Sequence, residues 1–171
     1  MRPQDIAILL KICCINDANW QLVPLSNALQ ISISEISESL NRSRLAHLVD
    51  YNKKQVNRLN FLEFLEHGVR YVFPQEPGAV IRGIPTAHSH PDIKKMFVSE
   101  VDHVWPDTKG STMGMKIEPF YPKQTQAVKE DAFYYKLLAL VDVIRVGKVR
   151  EVKYAVAALK KYLSEPSYKH R

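Results

Sequence analysis

Gln30-Ile31-Ser32-Ile33-Ser34-Glu35-Ile36 carries two helix-start signals at once. Ser32 followed three residues later by Glu35 forms a capping box, in which the serine hydroxyl and the glutamate carboxylate each satisfy a backbone N–H left free in the first turn. Ile31 before the cap and Ile36 four residues after it form the matching hydrophobic staple. A helix is therefore expected from Ser32 to about Ala46. Ile33, Ile36 and Leu40 lie on one of its faces at spacings of three and four, and Ser34, Glu38, Asn41 and Arg42 lie on the other.

The residues before this stretch supply two more helices. Leu22 to Leu29 has the length of a short helix, and Asn16-Asp17-Ala18-Asn19 separates it from a first helix. Pro3 opens that first helix, where its missing N–H is harmless, and Asp5 complements the positive end of the helix dipole. Ile6 to Ile15 is apolar nearly all round, so the helix is expected to be buried. Cys13 and Cys14 are adjacent within it, unsuited to an unstrained disulfide or a zinc site, and read as reduced core residues.

Two helices joined by a tight turn, the second capped and polar on its outer face, make a helix-turn-helix arrangement. The string Leu25 to Leu40 resembles the corresponding segment of winged helix-turn-helix regulators of the MarR-like kind. Leu25, Leu29, Ile31, Ser32, Ile36, Ser37 and Leu40 match the pattern, and Ser26 is suitably small where the two helices cross. The resemblance covers about residues 3–50. Gln30 departs from it: the family usually has glycine at that turn, so a strained turn or a different one is implied. Glu38 departs as well, standing where a basic or neutral side chain is more usual. The resemblance implies a DNA-binding module that reads the major groove with the helix 32–46. It also implies a homodimer, because two-fold symmetry matches palindromic half-sites.

The side chains on that helix suit the role. Asn41 pairs with adenine, Arg42 and Arg44 reach guanine or phosphate, Glu38 accepts from cytosine, and Ser34 and Ser37 complete the polar face. A wing would be a β-hairpin after Leu48-Val49-Asp50, yet Tyr51 to Arg58 is polar and reads as a basic loop. Lys53, Lys54 and Arg58 in that loop are placed to touch the DNA backbone. Beyond it a helix is expected over 59–67, capped by Asn57 or Asn60 and stopped by Gly68, followed by a strand over 69–73.

Seven of the ten prolines fall between Pro74 and Pro122, which makes long helices improbable there. Short strands are expected at 80–82, 96–98, 103–105 and 113–117, with Asp107-Thr108-Lys109-Gly110 as a hairpin tip joining the last two. His88, His90 and His103, with Asp92 or Asp102, have the chemistry of metal ligands, but their spacing is not that of a motif and no metal is assigned. Arg82 to His88 is a compact loop with the side chains to line an effector pocket. The sequence has no nucleotide-binding glycine loop, serine nucleophile elbow, paired-carboxylate motif or metalloprotease motif, so neither catalysis nor a cofactor is expected.

Glu130 or Asp131 opens a strongly apolar helix that Gly147 breaks. After the break Val149, Val152, Val156, Leu159 and Leu163 form one stripe, with Arg150, Lys153, Lys160 and Lys161 largely away from it. Packing is its expected role, with phosphate attraction as a second one.

The 171 residues are 46% apolar and 25% charged, proportions that describe a folded chain with room for one ordinary domain and exclude a multidomain enzyme. The net charge of +6 is unevenly placed. Residues 1–70 carry 8 basic and 7 acidic side chains, whereas 143–171 carry 8 basic ones against Glu151 and Glu165. No apolar run approaches the ~20 residues of a membrane span, and the first residues lack a signal-peptide layout, so a cytoplasmic protein without a membrane is expected. Together these features describe an α+β protein. A winged-helix-like helix-turn-helix module occupies 1–73, and a mixed region occupies 74–171, with short strands in 74–123 and two helices over about 131–163. Its expected function is that of a sequence-specific, double-stranded-DNA-binding transcriptional regulator. The alternative is a protein-interaction module, antitoxin-like or adaptor, that turns the same helices towards a protein partner. If the helix begins at Ser32, Ser32→Ala should lower stability by about 0.5–2 kcal/mol without any DNA present, measured as a shift in the denaturant midpoint.

Overall fold

The structure, a computed structural model, describes residues 1–164; Glu165, Lys169 and Arg171 lie outside the described residues. Three helices open the chain: α1 (Pro3–Ile15), α2 (Leu22–Leu29) and α3 (Ile33–Leu45). The Ser32 hydroxyl accepts the Glu35 N–H at 3.2 Å, and Ile31 and Ile36 are both buried. The reciprocal half of the capping box is replaced. Glu35 accepts a hydrogen bond from Gln4 Nε2 at 2.7 Å, which ties the start of α3 to α1. Gln30 closes α2 at φ 55°, ψ 41°. The turn is thus left-handed, and a side chain with a Cβ bears the strain that glycine avoids.

Residues 48–57 form a minimal β-hairpin rather than a loop. Val49 and Val56 face each other in an antiparallel bridge, with the Asp50 N–H on the Gln55 carbonyl and the Asn57 N–H on the Leu48 carbonyl. Its polar sequence hides it because one side chain organises the turn. Asp50 Oδ1 accepts from the Lys54 and Gln55 N–H groups at 2.7 and 2.8 Å, a local bond that aspartate makes well. Asn57 stands at the N-cap of α4 (Arg58–His67), as expected, but its side chain makes no capping bond, and both Asn57 and Asn60 donate to the His47 carbonyl. The expected strand at 69–73 is helical instead. Gly68 keeps φ −115°, ψ −42°, and the chain continues as α5 (Val69–Val72). Val69 is fully buried in the helical core, and that environment overrides its β propensity.

Three short strands, β1 (Val80–Pro85), β2 (His103–Pro106) and β3 (Thr112–Lys116), close into a small barrel. The two ends of β1 pair antiparallel with β2 and β3, while β2 and β3 pair parallel to each other, His103 opposite Met115. The Asp107–Gly110 turn forms, with the Gly110 N–H 2.9 Å from the Asp107 carbonyl. It does not join a hairpin, because β3 crosses to the far end of β1. Glycine permits the crossing: a Cβ on Gly83 would lie 1.9 Å from the Trp105 carbonyl oxygen, and one on Gly110 would lie 2.2 Å from that of Gly83. The expected strand at 96–98 is also missing. Lys94–Met96 is a 3₁₀ turn, and Val98 projects fully into solvent.

After α6 (Gln124–Ala127) come α7 (Ala132–Val146) and α8 (Val149–Ser164). Asp131 caps α7 through the Tyr134 N–H at 2.9 Å, and every residue of α7 from Leu137 to Arg145 is buried. Tyr134 Oη donates to the Ala7 carbonyl at 3.0 Å, and Lys11 pairs with Asp131 at 2.6 Å. These contacts lay α1 along α7, so the two halves of the sequence share one hydrophobic core. The inner face of α8 is Ala155, Leu159 and Leu163, whereas Val149 is 72% exposed. The buried stripe is therefore rotated from the one expected. The architecture is α+β.

Asp142 of α7 has no solvent exposure and accepts three hydrogen bonds, from Thr86 Oγ1 at 2.8 Å, Trp105 Nε1 at 2.7 Å and Arg145 Nη1 at 2.9 Å. Arg145 also donates to the Phe73 and Glu118 carbonyls and to Gln75 Oε1. Burial raises the Asp142 pKa above the usual carboxylate value, against the pull of these donors.

Close to this hub in the chain lie three buried histidines. His88 and His103 meet edge to face at 4.4 Å between ring centres, and His90 meets Tyr135 at 4.3 Å. Burial lowers all three pKa values, to about 4 for His90 and His103. Unfolded histidine titrates near ~6.5, so between these values the unfolded chain binds more protons than the native one. Their contribution to stability is whole above about pH 6.5 and lost as pH falls towards about 4. The thermal midpoint is expected to drop across that window, and His103→Gln to flatten the drop.

Candidate nucleic-acid interface

The position of α3 is set by α1 beneath it. Ile36 and Leu40 pack into the core, and Ser39 and Ser43 are fully buried on the same side, small enough to let the helix sit close. Arg42, expected on the outward face, turns inward instead. Its Nε and Nη2 reach the two carboxylate oxygens of Asp5 at 3.0 and 2.8 Å, and the Asp5 side chain has no exposure. This two-pronged pair raises the Arg42 pKa further and bolts α3 to the first turn of α1. Arg42 positions the helix and is not available to bases.

What α3 presents outward is Ser34 and Glu38, both exposed, with Ser37, Asn41 and Arg44 half-buried. The hairpin leans on this face. Lys53 Nζ donates to Asn41 Oδ1 at 3.0 Å, and the Arg44 guanidinium lies 5.8 Å from the Tyr51 ring centre. Asn41, Arg44 and Lys53 are thereby brought together. Lys54 and Arg58 are drawn away. Lys54 Nζ donates to the Trp20 carbonyl and lies 4.5 Å from the Trp20 ring centre, while Trp20 Nε1 donates back to the Lys54 carbonyl. Arg58 donates to the Leu163 carbonyl at 2.9 Å and to Asn16 Oδ1 at 2.8 Å. Both cations fasten elements of the fold to one another.

Three apolar residues that the sequence reading did not place at this surface flank it. Ile33 is 42% exposed, Leu45 70% and Tyr51 83%. The signal for Tyr51 was an aromatic side chain in an otherwise polar turn. Ile33 has the spacing of the packing face, but at the first turn of α3 it stays open to solvent.

No protein-family model matches the chain, and neither the curated proteins nor the solved structures give a match. The reading of the site therefore rests on its own chemistry. Among the described residues no group of three or more His, Cys, Asp or Glu side chains could hold a metal ion. In the expected effector loop Thr86 and His88 are turned into the core, and Arg82 donates to the Gly110 carbonyl at 3.3 Å. Cys13 and Cys14 are free thiols, and burial pushes Cys13 up to about 12. Among the described residues no helix is long and apolar enough to cross a membrane.

Arg42→Ala would leave the buried Asp5 carboxylate without its charged partner, held only by the Arg2 N–H at 2.7 Å. A loss of about 3–5 kcal/mol is expected, read by chemical denaturation, and adding Asp5→Ala should recover part of it. A base-reading arginine would behave oppositely, with stability intact and binding lost.

Proposed function

We propose that this chain is a sequence-specific DNA-binding regulator of transcription, built on a winged-helix-like frame, that places α3 in the major groove. The observation that carries the reading is the joint between Asn41 and Lys53. It sets a hairpin beside the outward face of a capped helix that is itself rigidly seated, as a wing stands beside a recognition helix. Asn41, Arg44 and Glu38 are the base-reading side chains in this arrangement, with Ser34 and Ser37 as adaptable contacts and Lys53 on the phosphates. The Lys53 hydrogen bond to Asn41 would give way to a phosphate contact and free the carboxamide for adenine. Palindromic half-sites would be met by a homodimer.

The exposed Ile33, Leu45 and Tyr51 favour a second reading, in which the same face docks on a protein. Salt separates the two, since contacts to phosphates give a steep loss of affinity with salt and an apolar docking face does not. The direct test is selection of sites from a random duplex pool. Asn41→Ala and Arg44→Ala are each expected to weaken binding to the selected site by about 1–3 kcal/mol and to relax preference at one base position. Unchanged preference in both variants would assign the face to a protein partner.

A further inference from the structure

The outward face of α8 is of one sign throughout. After Val149 its exposed residues are Arg150, Lys153, Ala157, Lys160, Lys161 and Ser164, a single ridge with no acidic residue on it. Glu151 lies off the ridge and accepts the Lys148 N–H at 2.7 Å. Among the described residues one acid reaches the ridge from outside, Glu66 of α4, which pairs with Lys160 at 2.8 Å. A merely solvated helix gains from mixed charges at spacings of three and four, whereas Arg150 and Lys153 repel at that spacing. The face is thus arranged at some expense to the helix and has little partner within the fold.

We infer that this ridge is a second nucleic-acid contact, a track for the phosphate backbone of duplex DNA. The choice of duplex among polyanions rests on the DNA-binding reading of α3. From Arg150 to Lys161 the helix rises about 16 Å, and duplex DNA offers one negative charge per ~1.7 Å of axis, so several phosphates lie within reach. The C-terminal end of α8 is tied to the start of α4. Arg58, which begins α4 directly after the hairpin, holds the Leu163 carbonyl at the end of α8. A membrane surface fits less well, because among the described residues the exposed apolar side chains of α8 are Val149 and Ala157, without the Trp, Phe or Leu that an interfacial helix buries. In this arrangement α3 chooses the site and α8 supplies the charge that the helix-turn-helix half lacks.

The test uses the full chain carrying Arg150→Gln, Lys153→Gln and Lys161→Gln together; Lys160 is kept for its bond to Glu66. These side chains face solvent, so a thermal midpoint no lower than that of the unaltered protein is expected and excludes misfolding. Binding to a random-sequence duplex is measured across a salt series, beside phosphatidylserine vesicles. The salt slope should fall by ~0.9 for each phosphate contact removed, with the base preference of the α3 face unchanged. An unaltered slope while Asn41→Ala and Arg44→Ala still relax preference overturns the ridge and leaves the reading of α3 standing. A reduced slope with preference unmoved by those variants upholds the ridge and overturns the reading of α3. Vesicle binding without duplex binding overturns both.

Discussion

A carboxylate with no access to water must find its partners inside the protein, and Asp142 finds them in three different parts of the chain. Thr86 comes from the turn after β1, Trp105 from β2, and Arg145 from the next turn of its own helix. Arg145 then collects the carbonyls of Phe73 and Glu118, one on each side of the barrel in sequence. An ion taken out of water is costly unless its remaining lone pairs and protons are answered. Here that requirement determines where the barrel, the 73–78 segment and the chain before α6 meet α7. With α7 so placed, α1 lies on it through Tyr134 and Lys11, and α2 and α3 are built on α1.

The same device recurs one layer out. Asp5 is as deeply buried as Asp142 and is likewise answered by an arginine, here from α3. One consequence is mechanical: α3 is held at both ends, by Arg42 to Asp5 and by Glu35 to Gln4. The other is electrostatic. With Arg42 turned inward and Lys54 and Arg58 bound to carbonyls, the surface around α3 keeps fewer exposed cations than its sequence suggests. The polar groups it presents are those of Ser34, Glu38, Asn41 and Arg44 rather than a dense positive patch. The positive surplus lies on α8, whose outward face meets one acid, Glu66, among the described residues.

Local signals were legible because their physics is local. The caps at Ser32 and Asp131, the span of α2, the break at Gly147 and the conflict at Gln30 each concern a few consecutive residues and backbone groups within one turn. The buried character of α1 and α7 was legible too, because apolarity around the whole circumference of a helix leaves no face for water. The site was legible in part. Ser34, Glu38 and Asn41 lie where helical periodicity puts them, on the side away from Ile36 and Leu40, with Ser37 and Arg44 half-buried at the border of that face.

The remainder was decided by groups distant in sequence. Whether an arginine reads a base or neutralises a buried acid depends on Asp5, 37 residues from Arg42, and no periodicity reports that partner. The hairpin at 48–57 escaped notice because its strands hold a single bridged pair and a side-chain bond holds its turn. The parallel pairing of β2 and β3 follows from backbone contacts that glycine allows, and a missing side chain leaves no hydrophobic pattern to read. Residues 69–73 have the composition of a strand, yet Val69 to Val72 took the geometry of the helices that bury Val69. The sequence by itself determined the longer helices, α1 to α4, α7 and α8, and that α1 and α7 must be buried, but not the short α5 and α6. Tertiary structure alone decided which charges remain free to meet a partner, because pairing a buried carboxylate outweighs the exposure that helical periodicity assigns to an arginine.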